Sequence, residues 1–566
     1  MNKISMVLSA AVLLSATAFA QKEKEEVPKN WHQLDKASTG YYGISLDKAY
    51  DFVKAKKIKS KTVTVAVIDS GIDTLHEDLK NVLWVNPKEI PGNKIDDDKN
   101  GYVDDINGWN FIGGKDGRNV KEDSYEAARV YHKLKAKYGD VIPDEATLTP
   151  AQKAEVEVYK KAKKKVLGSD EDAGGIDLII LQRVKENLLN SDSILQLAMG
   201  KTIFTGNELD SFVTKTDEAK KAKSGLLGLM KGNSALDQTN KEFIDGLKEY
   251  IAGEVRKEEA KNNPPKEYRK EIVQDNEADI NDRSYGNNDL MASTPFHGTH
   301  CSGIIGAERD NGKGVDGIAD NVRIMMIRAV PDGDEHDKDI ANAIRYAVNN
   351  GAQIISMSFG KDFSPEKQWV DDAVRYAESK GVLLVHAAGN DAKNIDSLDN
   401  FPSAGFYDKK GRASTWITVG ASGDPKNGGL TASFSNIGKQ EVDVFAPGVQ
   451  IYSTIPGGNT YGKASGTSMA CPVVAGTAAF LLEYYPKLSA KQLKFIIEKT
   501  AQSPDVDVKI PGTDELVKLS TLSKTGGVIN AYEAVKLADA TKGDRKEVKE
   551  AKVKVKKGKI KIKEKN

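Results

Sequence analysis

The chain has 566 residues, 82 of them Lys or Arg and 82 Asp or Glu, so net charge gives no argument for a polyanionic partner such as nucleic acid. Two cysteines exclude a disulfide-built scaffold, and the length calls for two or more structural units.

Residues 1–20 read as a secretory signal: Lys3, an apolar run from Met6 to Ala18, then Ala18-Phe19-Ala20 before Gln21. That run is too short to span a bilayer, and no other segment is long enough to try. The expectation is an exported protein without a transmembrane segment, whether periplasmic, cell-surface or extracellular. Residues 21–44 are a polar N-terminal segment, followed by a short amphipathic helix around Leu46–Lys56. The β-branched run Thr62–Ile68 predicts a strand buried on both faces, ending in Asp69-Ser70-Gly71-Ile72-Asp73. Ligand chemistry in open α/β sheets gathers at the carboxyl ends of strands, which is where Asp69 falls.

In Asp96-Asp97-Asp98-Lys99-Asn100-Gly101-Tyr102-Val103-Asp104, oxygen ligands at alternating positions and a glycine at the turn resemble half of an EF-hand loop. Asp96, Asp98, Asn100, Tyr102 and Asp104 are therefore candidate calcium ligands, although the closing Glu is missing and a solvated acidic turn is the alternative. Residues 45–114 are assigned to a first part of the catalytic unit. Residues 115–290, rich in Lys, Glu, Ala and Asp, are assigned to a helical insertion. Helices are expected over Pro150–Leu167, Leu178–Leu189 and Asn240–Lys257, and a hinge-like hairpin at Gly225, Gly228 and Gly232.

From 291 to 538 strand and helix alternate. The reading is strands at Val322–Ala329, Ala352–Ser358, Val382–His386 and Trp416–Ala421, with helices at Asp339–Asn349, Pro365–Ser379, Met469–Tyr484 and Val528–Ala538. That alternation calls for an α/β fold, a doubly wound parallel sheet flanked by helices. The tail, 539–566, is basic, and Val553–Lys563 alternates Lys with Val or Ile.

In Gly466-Thr467-Ser468-Met469-Ala470, Ser468 sits where a loop becomes a helix. Orphan N–H groups there favour negative charge, as an attacking serine requires, although a serine at this place is also an ordinary N-cap. Pro472 is read as a first-turn residue, where its missing N–H is harmless. His297 opens His297-Gly298-Thr299-His300 at another helix start. An imidazole can accept the serine's proton, and Asp69 can hold the imidazole's other nitrogen. A zinc site on His297, His300 and Cys301 is disfavoured, because no further ligands are signalled.

Val67-Ile68-Asp69-Ser70-Gly71, His297-Gly298-Thr299-His300 and Gly466-Thr467-Ser468-Met469-Ala470 together resemble the three signatures of the subtilisin-like serine proteases, in subtilisin's own order of Asp, His, Ser. The resemblance implies an exported serine endopeptidase working through an acyl-enzyme, a monomer acting on polypeptides without a catalytic metal. It further implies Asn390 as oxyanion donor, and Ser358, Phe359, Gly360, Ala387, Ala388 and Gly389 as the substrate-binding walls. The acidic loop Pro331–Asp337 would meet residues further upstream in the substrate, which predicts a mild basic preference there. The insertion would flank the cleft as a lid, and Cys301 and Cys471 would be free thiols. A non-catalytic polypeptide-binding or chaperone-like protein on the same scaffold is the alternative.

Overall fold

The computed structural model describes residues 27–140, 146, 148–168, 178–233, 235–236, 238–292, 295–425 and 427–545. The expected signal peptide and the alternating part of the tail lie outside the described residues.

An eight-stranded sheet forms the centre: β1 (Val63–Asp69), β2 (Gly108–Asn110), β3 (Val322–Arg328), β4 (Ile354–Met357), β5 (Leu383–Ala387), β6 (Trp416–Asp424), β7 (Asn427–Thr431) and β8 (Val444–Pro447). Their spatial order is β2-β3-β1-β4-β5-β6-β7, with β8 also beside β6, and every pairing but β6–β7 is parallel. The order turns round at β1, with β2 and β3 to one side and β4 onward to the other. The carboxyl ends of β1 and β4 therefore border the crevice where such sheets bind ligands.

Helices cover both faces. On one lie α1 (Leu46–Ala55), α7 (Phe296–Gly306), α10 (Thr467–Tyr484), α11 (Ala490–Thr500) and α12 (Ala531–Ala540), packed in one cluster with Val65, Val67, Ile324 and Val385. On the other lie α8 (Asp337–Asn349) and α9 (Lys367–Ser379), with Ile68, Met325, Ile355 and Leu384. Consecutive β1 residues thus serve opposite cores, the reason for the unbroken apolar run. Helix α10 is buried from Thr467 to Glu483, as a helix apolar on all sides must be.

Between β2 and α7 the chain leaves and returns at one place, where Asn110 and Asn287 exchange backbone hydrogen bonds of 2.9 and 3.0 Å. Within it run α2 (Glu126–Tyr138), α3 (Pro150–Leu167), α4 (Leu178–Met199), α5 (Asp217–Gly232) and α6 (Asn240–Asn262). Capping boxes at Thr149/Gln152 and Thr239/Glu242 start α3 and α6. Helices α4, α5 and α6 enclose a core of their own, with Leu181, Leu188 and Leu195 on one stripe against Leu226, Met230, Phe243 and Leu247. Where Gly225, Gly228 and Gly232 suggested a hairpin, α5 is continuous. Burial of Leu226, Leu227 and Met230 outweighs the roughly 1 kcal/mol that each interior glycine costs.

Candidate active site

Asp69 ends β1 and is almost fully buried. Its Oδ1 accepts from the Ser70 N–H at 2.7 Å, and His297 Nδ1 donates to Oδ1 and Oδ2 at 2.8 and 3.0 Å. His297 is the second residue of α7, and the residue after it has to be glycine. A Cβ on Gly298 would lie 2.1 Å from the Gly71 carbonyl and 3.1 Å from Asp69 Cβ, so any side chain would push the helix off the strand.

Ser468 is the second residue of α10. The N-cap is Gly466, so the Ser468 hydroxyl is not the cap; it donates to the Ser358 carbonyl at 3.2 Å. Pro472 lies beyond the first turn, a correction to its sequence reading, and without an N–H it leaves the carbonyl of residue 468 unpaired in the helix ladder. That freed Ser468 carbonyl accepts from Ser358 Oγ (3.0 Å) and Cys301 Sγ (3.3 Å), which satisfies a buried acceptor and ties the turn to β4 and α7. Cys301 Sγ also lies 4.0 Å from His297 Nδ1, so one thiol touches the imidazole and the serine's own backbone. Burial pushes this thiol's pKa well up, which keeps it protonated. Both cysteines are free and buried.

Asn390 follows β5. Its Oδ1 accepts from the Thr467 N–H (2.8 Å) and Thr467 Oγ1 (3.0 Å), which fixes the amide. The position a Cβ would take on Gly466 lies 3.6 Å from Asn390 Nδ2 and 3.5 Å from Ser468 N. Two N–H donors therefore border one small volume beside the serine. Asn436, which the sequence did not single out, holds the turn before Asn390: its Nδ2 donates to the Ala388 carbonyl at 2.8 Å and its Oδ1 accepts from the N–H groups of Asp391 and Lys393.

Ser358, Phe359 and Gly360 follow β4, and the Ser358 carbonyl is the one that accepts from the Ser468 hydroxyl. His386, neutral because burial lowers its pKa to about 4, donates from Nε2 to the Phe359 carbonyl at 2.8 Å. Asn400 is a second residue the sequence did not single out. Its Oδ1 lies 3.3 Å and 3.5 Å from where Gly360 and Gly389 would carry a Cβ, so it sits between those two glycines. A cavity of about 260 Å³ adjoins it, lined by His386, Phe401, Pro402, Ser403 and several carboxylates. Those carboxylates are spoken for: Asp399 pairs with Lys161, Glu441 with Arg412, and Asp396 accepts from the backbone N–H groups of residues 439–441.

The acidic loop 331–337 is neutralised, contrary to the expectation of a basic preference. Asp332 pairs with Arg256 at 3.0 Å, Asp334 accepts from the Glu126 N–H, and Asp337 pairs with Lys361 at 2.9 Å. Burial pushes Glu335 up to about 8, so that carboxyl is largely protonated at neutral pH.

In the acidic turn, single carboxylate oxygens of Glu89, Asp96 and Asp98 lie within 4.8 Å of one another. Glu89 is buried and its Oε2 has no hydrogen-bond partner. The other candidate ligands are differently engaged. Asn100 Oδ1 accepts from the Tyr102 N–H and Asp104 turns back to the N–H groups of Gly92 and Lys94, while Tyr102, its ring packed against Trp109, has only its backbone carbonyl to offer. His300 Nε2 lies within 3.2 Å of the Gly462 carbonyl, and the group of possible metal ligands that includes His297 is Asp69, His297 and Cys301, without His300.

The subtilase family profile matches residues 60–521, and the chain belongs to that family, one of serine-type endopeptidases. A thermophilic serine proteinase of Bacillus sp. (strain AK1) is 39% identical over 244 residues, which are 42% of this chain and 52% of that protein. Thermitase of Thermoactinomyces vulgaris is 36% identical over 270 residues, 46% of this chain and 85% of thermitase. The cell wall-associated protease of Bacillus subtilis (strain 168) is 32% identical over 275 residues, 46% of this chain and 28% of that protein. The chain thus spans about half the length of the first and less than a third of the last.

Proposed function

We propose that the protein is an exported serine endopeptidase that cleaves polypeptides through an acyl-enzyme. The observation that carries this reading is the buried Asp69 carboxylate holding His297 Nδ1 at 2.8 Å while Cys301 touches both that nitrogen and the Ser468 carbonyl. In this reading Asp69 keeps the proton on Nδ1, so Nε2 is the base. As Ser468 Oγ attacks the scissile carbonyl, its proton passes to His297 Nε2 and the carbonyl oxygen becomes an oxyanion. Asn390 Nδ2 and the Ser468 N–H stabilise that charge better than the ground-state carbonyl, which is what accelerates the step. Collapse expels the amine, which takes the proton from His297. Water then repeats the cycle and frees Ser468. No polypeptide-binding protein without catalysis would need this set of four side chains.

Gly360, Gly389 and Asn400 support an uncharged residue before the cut, since the cavity's carboxylates already have partners. Export rests on residues 1–20 and on relatives such as the cell wall-associated protease; among the described residues no helix is long and apolar enough to cross a membrane. Calcium is proposed as a structural ion held by Glu89, Asp96 and Asp98, because an unpaired buried carboxylate oxygen is costly without a cation. Calcium should raise the melting temperature of the wild type and not of Glu89→Gln, and equal shifts would remove the site.

Rapid mixing with an activated ester tests the mechanism. A burst approaching one equivalent of leaving group per enzyme is expected in the wild type and none in Ser468→Ala; a burst that survives the substitution contradicts it.

A further inference from the structure

Among the described residues, the groove wall that starts at Ser358 stops being available after Gly360. The Lys361 N–H and carbonyl both pair with Phe401, at 3.0 and 2.9 Å, so no backbone edge is left for a peptide. The Lys361 side chain, 2% exposed, turns inward. Its ammonium has three donors, and three acceptors meet them: Glu126 Oε2 at 2.8 Å, Asp337 Oδ1 at 2.9 Å and the Glu335 carbonyl at 2.7 Å. Asp337 and Glu335 belong to the acidic loop that the subtilase resemblance places on the opposite side of the substrate, and Glu126 is the first residue of α2. Arg129 holds Glu126 in turn, at 2.7 Å. Behind this contact Phe363 packs against Ala127, Tyr131, Tyr159 and Ala162 of α2 and α3, and Lys165 of α3 pairs with Asp362 at 2.5 Å.

We propose that Lys361, clamped by Glu126 and Asp337, plugs the upstream end of the substrate groove, so that recognition ends with the residues that pair along 358–360. A substrate's next residue upstream finds no pocket there, and its chain must bend out past α2. The substrates that can do so are flexible segments of polypeptide, whereas a strand held in a folded domain cannot. The plug restricts what the site accepts and takes no part in bond breaking. It rests on the endopeptidase reading given above. Its parts come from three separate segments, and the pairing of Lys361 with Glu126 spans 235 positions, which is why no local pattern announces it.

Chromogenic peptide anilides with one to five residues upstream of the cut test the plug. With wild-type enzyme kcat/KM should climb over the first three residues and change less than twofold on adding the fourth and fifth. In Lys361→Ala the preference for a leucine at the fourth position, taken as the ratio of long to short peptide, should rise about tenfold, the effect of burying one apolar side chain. A wild-type gain of tenfold or more from a fourth apolar residue overturns the plug. If Lys361→Ala fails to fold by circular dichroism, the wild-type length series decides alone. If no peptide is cleaved and no acyl burst appears, the hydrolase reading itself has failed, and the plug with it.

Discussion

The rim of the sheet and the helical segment docked beside it are held by different forces. At the rim, apart from the Asp69 carboxylate on His297, neutral contacts do the positioning: the freed Ser468 carbonyl takes hydrogen bonds from Ser358 and Cys301, Asn390 clasps Thr467, and Gly298 lets α7 press on β1. The helical segment has apolar cores of its own and meets the sheet unit both through apolar contacts, such as Phe363 on Tyr131 and Tyr285 on Phe111, and through a dense set of ion pairs. Arg269 pairs with Asp275 and Asp339, Arg256 with Asp332, Lys165 with Asp362, and His336 with both Asp123 and Glu277. Geometry at the rim therefore follows mainly from neutral packing around the single Asp69–His297 pair, whereas docking of the helices depends in part on ionisation. Substitutions and pH should separate the two.

The largest effect belongs to the rim. Ser468→Ala should lower turnover on the order of 10⁶-fold, the size found for subtilisin's own nucleophile, with a melting temperature close to wild type in calorimetry. Asn390→Leu should lower kcat by roughly 10²–10³, again subtilisin's figure for its oxyanion amide, with KM nearly constant in steady-state kinetics. A change confined to KM would place Asn390 in binding alone.

Docking is tested next. Arg269→Met leaves the Asp339 carboxylate buried without its cation, while Asp275 keeps Lys338, and should cost about 3–5 kcal/mol of stability in denaturant unfolding. The smallest effect is on pH. Burial and Arg129 push the His336 pKa down, but the Asp123 and Glu277 carboxylates on its two nitrogens outweigh them and hold it above its ordinary value; Glu126 faces the same cluster. A raised folded pKa means that the docking contribution is fully present below the unfolded value and is lost as pH rises through the folded one. Hydrogen exchange in α2 should therefore speed up with alkaline pH beyond its intrinsic trend, and His336→Gln should remove that excess. An α2 equally protected in both proteins would detach His336 from docking.

The rim was legible because each of its residues sits in a short motif at a strand end or helix start, where type and spacing already carry the chemistry. Strands β1, β3, β4, β5 and β6 fell within a few residues of their expected places because two-sided burial writes a continuous apolar run, whereas β2, β7 and β8 had no expected place. Asn400 and Asn436 were not legible, because the segments they lie against are brought near only by the fold, and Glu89 was not because it stands outside the alternating pattern of the acidic turn. Pro472 was misread by half a turn, and its consequence for the Ser468 carbonyl needed Ser358 and Cys301 in place. Helix α11 was passed over although Ser489 and Gln492 form a capping box that marks its start. The acidic loop misled because charge in a sequence says nothing of the arginines and lysines that come to meet it.

The central claim is that His297 and Asp69 activate Ser468. A fluorophosphonate probe followed by peptide mass mapping tests it most directly. One adduct is expected on the peptide carrying Ser468 at neutral pH, slowed by orders of magnitude in His297→Ala and absent in Ser468→Ala. An adduct elsewhere, or one that forms at the same rate without His297, would contradict the account.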